Sequence, residues 1–156
     1  MICIFGHKVI CKYRDVFSSP EEHDTSIIDK ILALPKRTVL IVLGDFLFDG
    51  DHYDSYIKRL SKKKCKIKLV MGNHDSRKLY KEDIFEIQLP LYSYKNSWVS
   101  HAPIHPDELR GRHINIHGHL HKTVLNNKRY FNVNLDCNDY EFVEWEKIRS
   151  RYEDSN

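Results

Sequence analysis

Four short polar clusters, each directly after an apolar run, limit what this chain can fold into. Thr38-Val39-Leu40-Ile41-Val42-Leu43 ends at Gly44-Asp45, and Lys66-Ile67-Lys68-Leu69-Val70-Met71 ends at Gly72-Asn73-His74-Asp75. Further on, Tyr92–Ser100 ends at His101, and His113–Ile116 runs into His117-Gly118-His119-Leu120-His121. The first of these runs has no polar alternation, the pattern of a strand buried on both faces in a parallel sheet. In open α/β sheets the residues just past the strand carboxyl ends line the ligand crevice. The covering helices are also legible. Ser18-Ser19-Pro20-Glu21-Glu22 puts a hydroxyl cap before proline and two acids. Ile27, Ile28, Ile31, Leu32 and Leu34 then recur at helical spacing until Pro35, and Tyr53, Tyr56, Ile57 and Leu60 mark a second helix. Ile2-Cys3-Ile4-Phe5 predicts a brief first strand. Ile84–Leu91 and Tyr92–Ser100 predict two more, and Arg129–Leu135 and Glu141–Val143 late ones. This order predicts an α/β sandwich with a mixed sheet.

Length and composition bound the function classes. The 156 residues suit one domain, residues 1–150, with a polar stretch from Lys147 that frays into a tail at 151–156. Seven Phe, nine Tyr and two Trp in a chain 41% apolar exclude disorder. No apolar run approaches the roughly 18 residues of a membrane span, so no membrane partner is expected. MICIFGHK lacks the charged start of a signal peptide. The four cysteines (Cys3, Cys11, Cys65, Cys137) form no CxxC pair, and a cytoplasmic setting is expected. A net charge of +3 is too small to mark a nucleic-acid binder by itself. The unusual count is histidine: ten, six of them between His101 and His121.

Imidazole, carboxylate and an amide oxygen on rigid strand ends make a borderline-hard metal site. That set suits Mn²⁺, Fe²⁺, Co²⁺, Ni²⁺ or Zn²⁺ rather than an all-oxygen Ca²⁺ cage. His119 and His121 flank Leu120, so on a strand both face one side. Each cluster has an ordinary reading too: Gly44-Asp45 as a turn, Gly72–Asp75 as an Asx-capped turn, His101 as a buried histidine. Taken together, in this order, they read as a metal site. Outside the clusters, Lys58, Arg59, Lys62, Lys63, Lys64, Lys66 and Lys68 form a basic run, either a solvated edge or a contact for RNA or DNA phosphates. Arg14 and Arg77 are candidates to reach a substrate phosphate. His7, His105, His113 and His117 are not expected to be ligands.

Gly44-Asp45, Gly72-Asn73-His74-Asp75, Ser100-His101 and Gly118-His119-Leu120-His121 resemble the second to fifth motifs of the calcineurin-like metallophosphoesterases. The resemblance is nearest to small bacterial and phage members, and Phe5-Gly6-His7-Lys8 and Arg129–Leu135 extend it to both ends. It implies a metallophosphoesterase fold, a four-layer α/β/β/α sandwich with mixed β-sheets. It also implies hydrolysis of a phosphomonoester or phosphodiester, a nucleotide or nucleic acid among the candidates, by water that a divalent metal, Mn²⁺ by expectation, acidifies for in-line attack. If phage-encoded, the protein would act in the host cytoplasm. Carried over by motif, Asp45 bridges two metals, Asn73, His101 and His119 complete one site, and His121 serves the other. His74 is then the proton donor to the leaving group, and Asp75 the residue that holds its ring.

The first motif departs from the family. Where relatives carry Asp-x-His, alignment through Phe5-Gly6-His7 leaves Ile2 and Ile4; a strand-first alignment instead puts His7 at the missing histidine. Both lose the aspartate, and Cys3 faces away from Ile2 and Ile4 on a strand. The expectation is one tight metal site and one weak one. Two rivals stand beside the enzyme reading: an impaired relative used as a protein- or nucleic-acid-binding scaffold, and a nuclease that uses the lysine run.

Overall fold

The structure is a computed structural model and describes residues 4–153. Its first sheet consists of β1 (Val39–Leu43), β2 (Lys66–Val70) and β3 (Glu86–Gln88), all parallel in the order β1-β2-β3. The second is mixed: β4 (Leu91–Tyr94) runs antiparallel to β5 (Ser97–Ser100), while β6 (Asn115–His117) and β7 (Tyr130–Asn132) follow in parallel. Leu43 is in register with Val70, so the first two polar clusters leave neighbouring strand ends together. The Gly118 N–H donates to the His101 carbonyl (2.9 Å), which does the same for the other two.

Both faces of β1 and β2 are covered toward their carboxyl ends, which is why the β1 run is continuously apolar and β2 closes on Leu69 and Val70 after Lys66 and Lys68. On one face Val42 and Leu69 pack with Ile27, Ile28 and Ile31 of helix α1 (Pro20–Ala33) and with Tyr56 and Leu60 of α2 (Tyr53–Leu60). On the other, Leu43 and Val70 meet Val99, Ile116 and Phe131 of the second sheet. Each fully buried Leu, Ile or Phe contributes roughly 1.5–3 kcal/mol. Helix α1 starts where the sequence predicts. Ser19 Oγ accepts from the Glu22 N–H (3.1 Å) while the Glu22 carboxylate accepts from the Ser18 N–H (2.7 Å), with Pro20 at the first turn.

Three expectations are corrected. Tyr92–Ser100 is not one strand but a hairpin, β4 and β5, reversing at Lys95 and Asn96 with φ of 43° and 58°. A two-residue turn with both φ positive matches strand twist, and Lys at its first position gives a weaker signal than Asn-Gly would. Glu141–Val143 lies outside the assigned strands. From Lys147 to Glu153 the chain is helical rather than frayed: Trp145–Glu153 is helix α3, with Ile148 buried in the inter-sheet core and Trp145 edge-on to Tyr94 at 5.3 Å. The expected first strand falls partly on residues 1–3, outside the described residues; Phe5 forms one parallel bridge to Leu47.

Candidate metal centre

Asp45, Asn73, His101 and His119 converge beyond the ends of β1, β2, β5 and β6. His101 is oriented first: its Nδ1 lies 2.7 Å from the Leu43 carbonyl oxygen, which can only accept, so Nδ1 carries the proton and Nε2 presents a lone pair. Around that Nε2 stand Asn73 Oδ1 at 2.9 Å, His119 Nδ1 at 3.0 Å and Asp45 Oδ2 at 3.5 Å. Asp45, His101 and His119 offer donor atoms all within 4.8 Å of one another. With metal–nitrogen bonds of about 2.1 Å, adjacent ligands on one ion are about 3.0 Å apart in an octahedron and about 3.4 Å in a tetrahedron. The observed spacings are those of ligands sharing an ion. Burial, aided by the neighbouring His101, lowers the His119 pKa, which favours the neutral, ligating form.

The local backbone is built for this approach. A Cβ on Gly44 would stand 2.5 Å from Gly72 Cα and N and from His101 Nδ1; one on Gly72 would collide with the Asp45 amide and carboxylate. Only glycine lets the two strand ends close on each other. Asp45 (φ 46°), His119 (φ 60°) and His121 (φ 49°) all sit in the left-handed region, sparsely used by non-glycine residues and found clustered at functional sites.

The remaining candidates separate. His119 and His121 do not share a strand face, because β6 stops at His117 and the chain then turns, with the Leu120 N–H donating to the Gly118 carbonyl. His119 enters the cluster. His121 lines a neighbouring cavity of about 650 Å³ together with Asp45, His74 and Ile4. Its loop is clamped from β7 by Asn132 Nδ2, which donates to the His121 (3.1 Å) and Thr123 (2.9 Å) carbonyls. Ile4, one of the two positions at which the resemblance implies a metal ligand, is buried with φ 64° and brings no donor atom; Ile2 and Cys3 lie outside the described residues. His74 is exposed, and its ring stacks on Phe48 at 5.4 Å and 11°. Asp75 does not hold that ring. Its Oδ1 accepts from the Phe46 (2.5 Å) and Leu47 (3.0 Å) amides and its Oδ2 from the Gly72 amide (2.8 Å). Burial raises the Asp75 pKa against those three bonds. His117 is wholly buried, with Nδ1 bonded to the Gly118 carbonyl (3.0 Å).

Arg14 is not at the site as a phosphate ligand. It is 0% exposed and holds both oxygens of Asp136 (3.1 and 2.8 Å), Asn134 Oδ1 (3.2 Å) and His23 Nε2 (2.7 Å). A guanidinium only donates, so His23 Nε2 accepts and Nδ1 carries the proton to Asp24 Oδ1 (2.7 Å). Asp24 Oδ2 in turn takes the Tyr56 hydroxyl (2.6 Å) and the Gly6 amide (2.9 Å). Sequence reading missed this network, although His23 and Asp24 share α1's buried face with Ile27 and Ile31 at helical spacing. Arg77 is exposed at the start of a 3-10 turn (Arg77–Lys81). Most of the lysine run sits at the far end of the sheet: Lys66 opens β2, about 13 Å from the Val70 end that the site follows, and Lys68 lies mid-strand.

The family model of the calcineurin-like phosphoesterases matches residues 22–154, and the chain belongs to that family. Over 61 residues it is 34% identical to a zinc-dependent endopolyphosphatase of Saccharomyces cerevisiae, a match covering 39% of this chain and 19% of that one. The chain therefore spans about a fifth of the length of that relative. The crystal structure of AQ665 from Aquifex aeolicus, a protein of unknown function, superposes with a TM-score of 0.71 at 21% identity, covering 94% of this chain and 93% of that one. It confirms the fold. A nuclease, MPE, from Pseudomonas putida matches with a TM-score of 0.45 at 23% identity over 63% of this chain and 52% of its own. No helix among the described residues is long and apolar enough to cross a membrane.

Proposed function

We propose that this protein hydrolyses a phosphate ester at one tight metal centre formed by Asp45, Asn73, His101 and His119, with a second, weak position beside Asp45 and His121. The observation that carries the reading is the set of donor atoms 2.9–3.5 Å around His101 Nε2, whose own proton is fixed on the other ring nitrogen. A divalent ion there, Mn²⁺ by preference, supplies Lewis-acid polarisation of a phosphoryl oxygen and an acidified water for in-line attack.

The chain's own residues supply the rest. His74 lines the same cavity as Asp45, where it hands a proton to the departing oxygen, and its orientation comes from Phe48 and from its own amide, which donates to Asp45 Oδ1 (3.0 Å). Asp75 fixes the turn that carries Asn73 and His74 and takes no part in proton transfer. At the second position Asp45 and His121 give two protein ligands, below the three expected of a catalytic zinc-like centre.

The test is an assay of metal-loaded protein on a generic phosphodiester and a generic phosphomonoester, with Asn73→Ala alongside and metal content read by elemental analysis after dialysis. Hydrolysis with about one retained metal, both lost in Asn73→Ala, supports the proposal. Retained metal with no hydrolysis of either ester sinks it and favours the scaffold reading, which the buried Ile4 motivates.

A further inference from the structure

The 650 Å³ cavity beside the metal centre is large enough to take more than a phosphate, lying within the roughly 300–1,000 Å³ of small-molecule sites. One wall is a continuous file of rings. Tyr13 meets His7 edge-on at 6.1 Å, His7 meets Phe48 edge-on at 5.3 Å, and Phe48 stacks on His74 at 5.4 Å. The file starts at Tyr13, 58% exposed, and ends at His74, beside Asp45. Lys12 and Lys122, both exposed, stand on the same cavity.

The acids on this wall do not oppose an anion. Among the described lining residues these are Asp45 and Asp136. Asp136 is paired to Arg14 through both oxygens, with side chains 2% and 0% exposed, and Asp45 faces the metal-ligand cluster. Two exposed ammonium groups and a file of rings leading to a phosphoester centre match a ligand with an anion at one end and a planar ring at the other. The exposed Tyr13 ring offers a face on which any planar ring can stack, His7 and Phe48 continue the aromatic wall inward, and lysines attract the phosphate.

We infer that the organic group of the substrate carries a planar aromatic ring, of the kind a nucleobase supplies, which lies along Tyr13, His7 and Phe48 while its phosphate reaches Asp45 and His74. The inference rests on the phosphoesterase reading of the same site and narrows it to ring-bearing esters.

Calorimetric titration of manganese-loaded protein with three non-hydrolysable phosphonates tests it: the adenosine 5′-methylenephosphonate, the corresponding ribose compound, and benzylphosphonate. Both ring-bearing ligands are expected to bind at least about tenfold tighter than the ribose one. Tyr13→Ala should bring all three close together, and Tyr13→Phe should restore the preference. Because Tyr13 is largely exposed, its truncation should spare the fold, which a thermal melt of the variant checks. Equal binding of the three, or a preference that survives Tyr13→Ala, overturns the inference. So does tight adenosine binding with benzyl no better than ribose, since polar contacts rather than stacking would then be at work. Turnover of generic esters measured in parallel separates the two claims. Ring preference without hydrolysis removes the enzyme reading alone, and hydrolysis without ring preference removes this one alone.

Discussion

His74 and Asp75 are adjacent in the chain and do different work, and substitutions should separate them. His74 is exposed, stacked on Phe48, and absent from the cluster of Asp45, His101 and His119. His74→Ala should leave metal content nearly intact and lower turnover by about 10²–10⁴-fold, with a smaller loss on a nitrophenyl ester whose leaving group needs no proton. Equal losses on good and poor leaving groups would remove the general-acid role. Asp75 acts through the backbone. Asp75→Asn can keep an oxygen on the Phe46 and Leu47 amides but turns its NH₂ toward the Gly72 amide, and should lower the unfolding free energy by about 2–3 kcal/mol in a denaturant titration. A stability within experimental error of wild type would show that those bonds do not matter. The grouping of Asp45, Asn73, His101 and His119 was legible because strand ends bring such donor types together. The role of Asp75 was not legible, because its partners are main-chain amides of Phe46, Leu47 and Gly72, which leave no mark in a sequence.

At the scale of elements, β1 and helix α1 were readable from an uninterrupted apolar run and a cap, since burial on both faces and a capped first turn each demand particular residues. The loop after β6 was not: alternation of His119 and His121 suggested a strand, and two left-handed residues instead direct the histidines to different places. Arg14 shows what joins elements where no apolar pattern exists. It ties the 3-10 turn Ile10–Lys12, helix α1 and the segment Asn134–Asp136 through one guanidinium. Arg14→Leu would leave the Asp136 carboxylate, 2% exposed, without its counter-charge. Breaking a buried pair from one side costs about 3–5 kcal/mol. A loss below about 1 kcal/mol in the same titration would mean that water reaches Asp136 and the network is not structural.

For the molecule as a whole, alkaline pH probes the core beneath the first sheet. Burial, then hydrogen bonds to Asp24 and Glu82, push the phenols of Tyr56 and Tyr53 well above the ordinary phenol range. Above pH about 10 the unfolded chain releases phenolic protons that the folded chain retains, so it binds fewer protons and stability falls as pH rises. Each phenol contributes up to about 1.4 kcal/mol per pH unit in that window. Tyr56→Phe should flatten the slope between pH 10 and 11, and an unchanged slope would mean that Tyr56 ionises in the folded state.

Metal binding tests the molecule at its largest scale, because the four proposed ligands come from the ends of strands in both sheets. An ion that joins Asp45 and Asn73 of the first sheet's strand ends to His101 and His119 of the second's binds only the folded chain, and so stabilises the whole molecule by mass action. At free metal about a hundredfold above the dissociation constant the gain is about 2.7 kcal/mol. For a chain of 156 residues that corresponds to a rise in Tm of roughly 5–11 °C. His119→Ala should abolish most of the rise, since it removes an atom 3.0 Å from His101 Nε2. His121→Ala should keep most of it, because His121 lies on the cavity rather than in the cluster. Thermal melts of the three proteins with and without Mn²⁺ read the difference directly. Equal loss in both variants would mean that His121 joins the tight centre. Equal retention would mean that the ion sits elsewhere, and the assignment of His119 would fall with it.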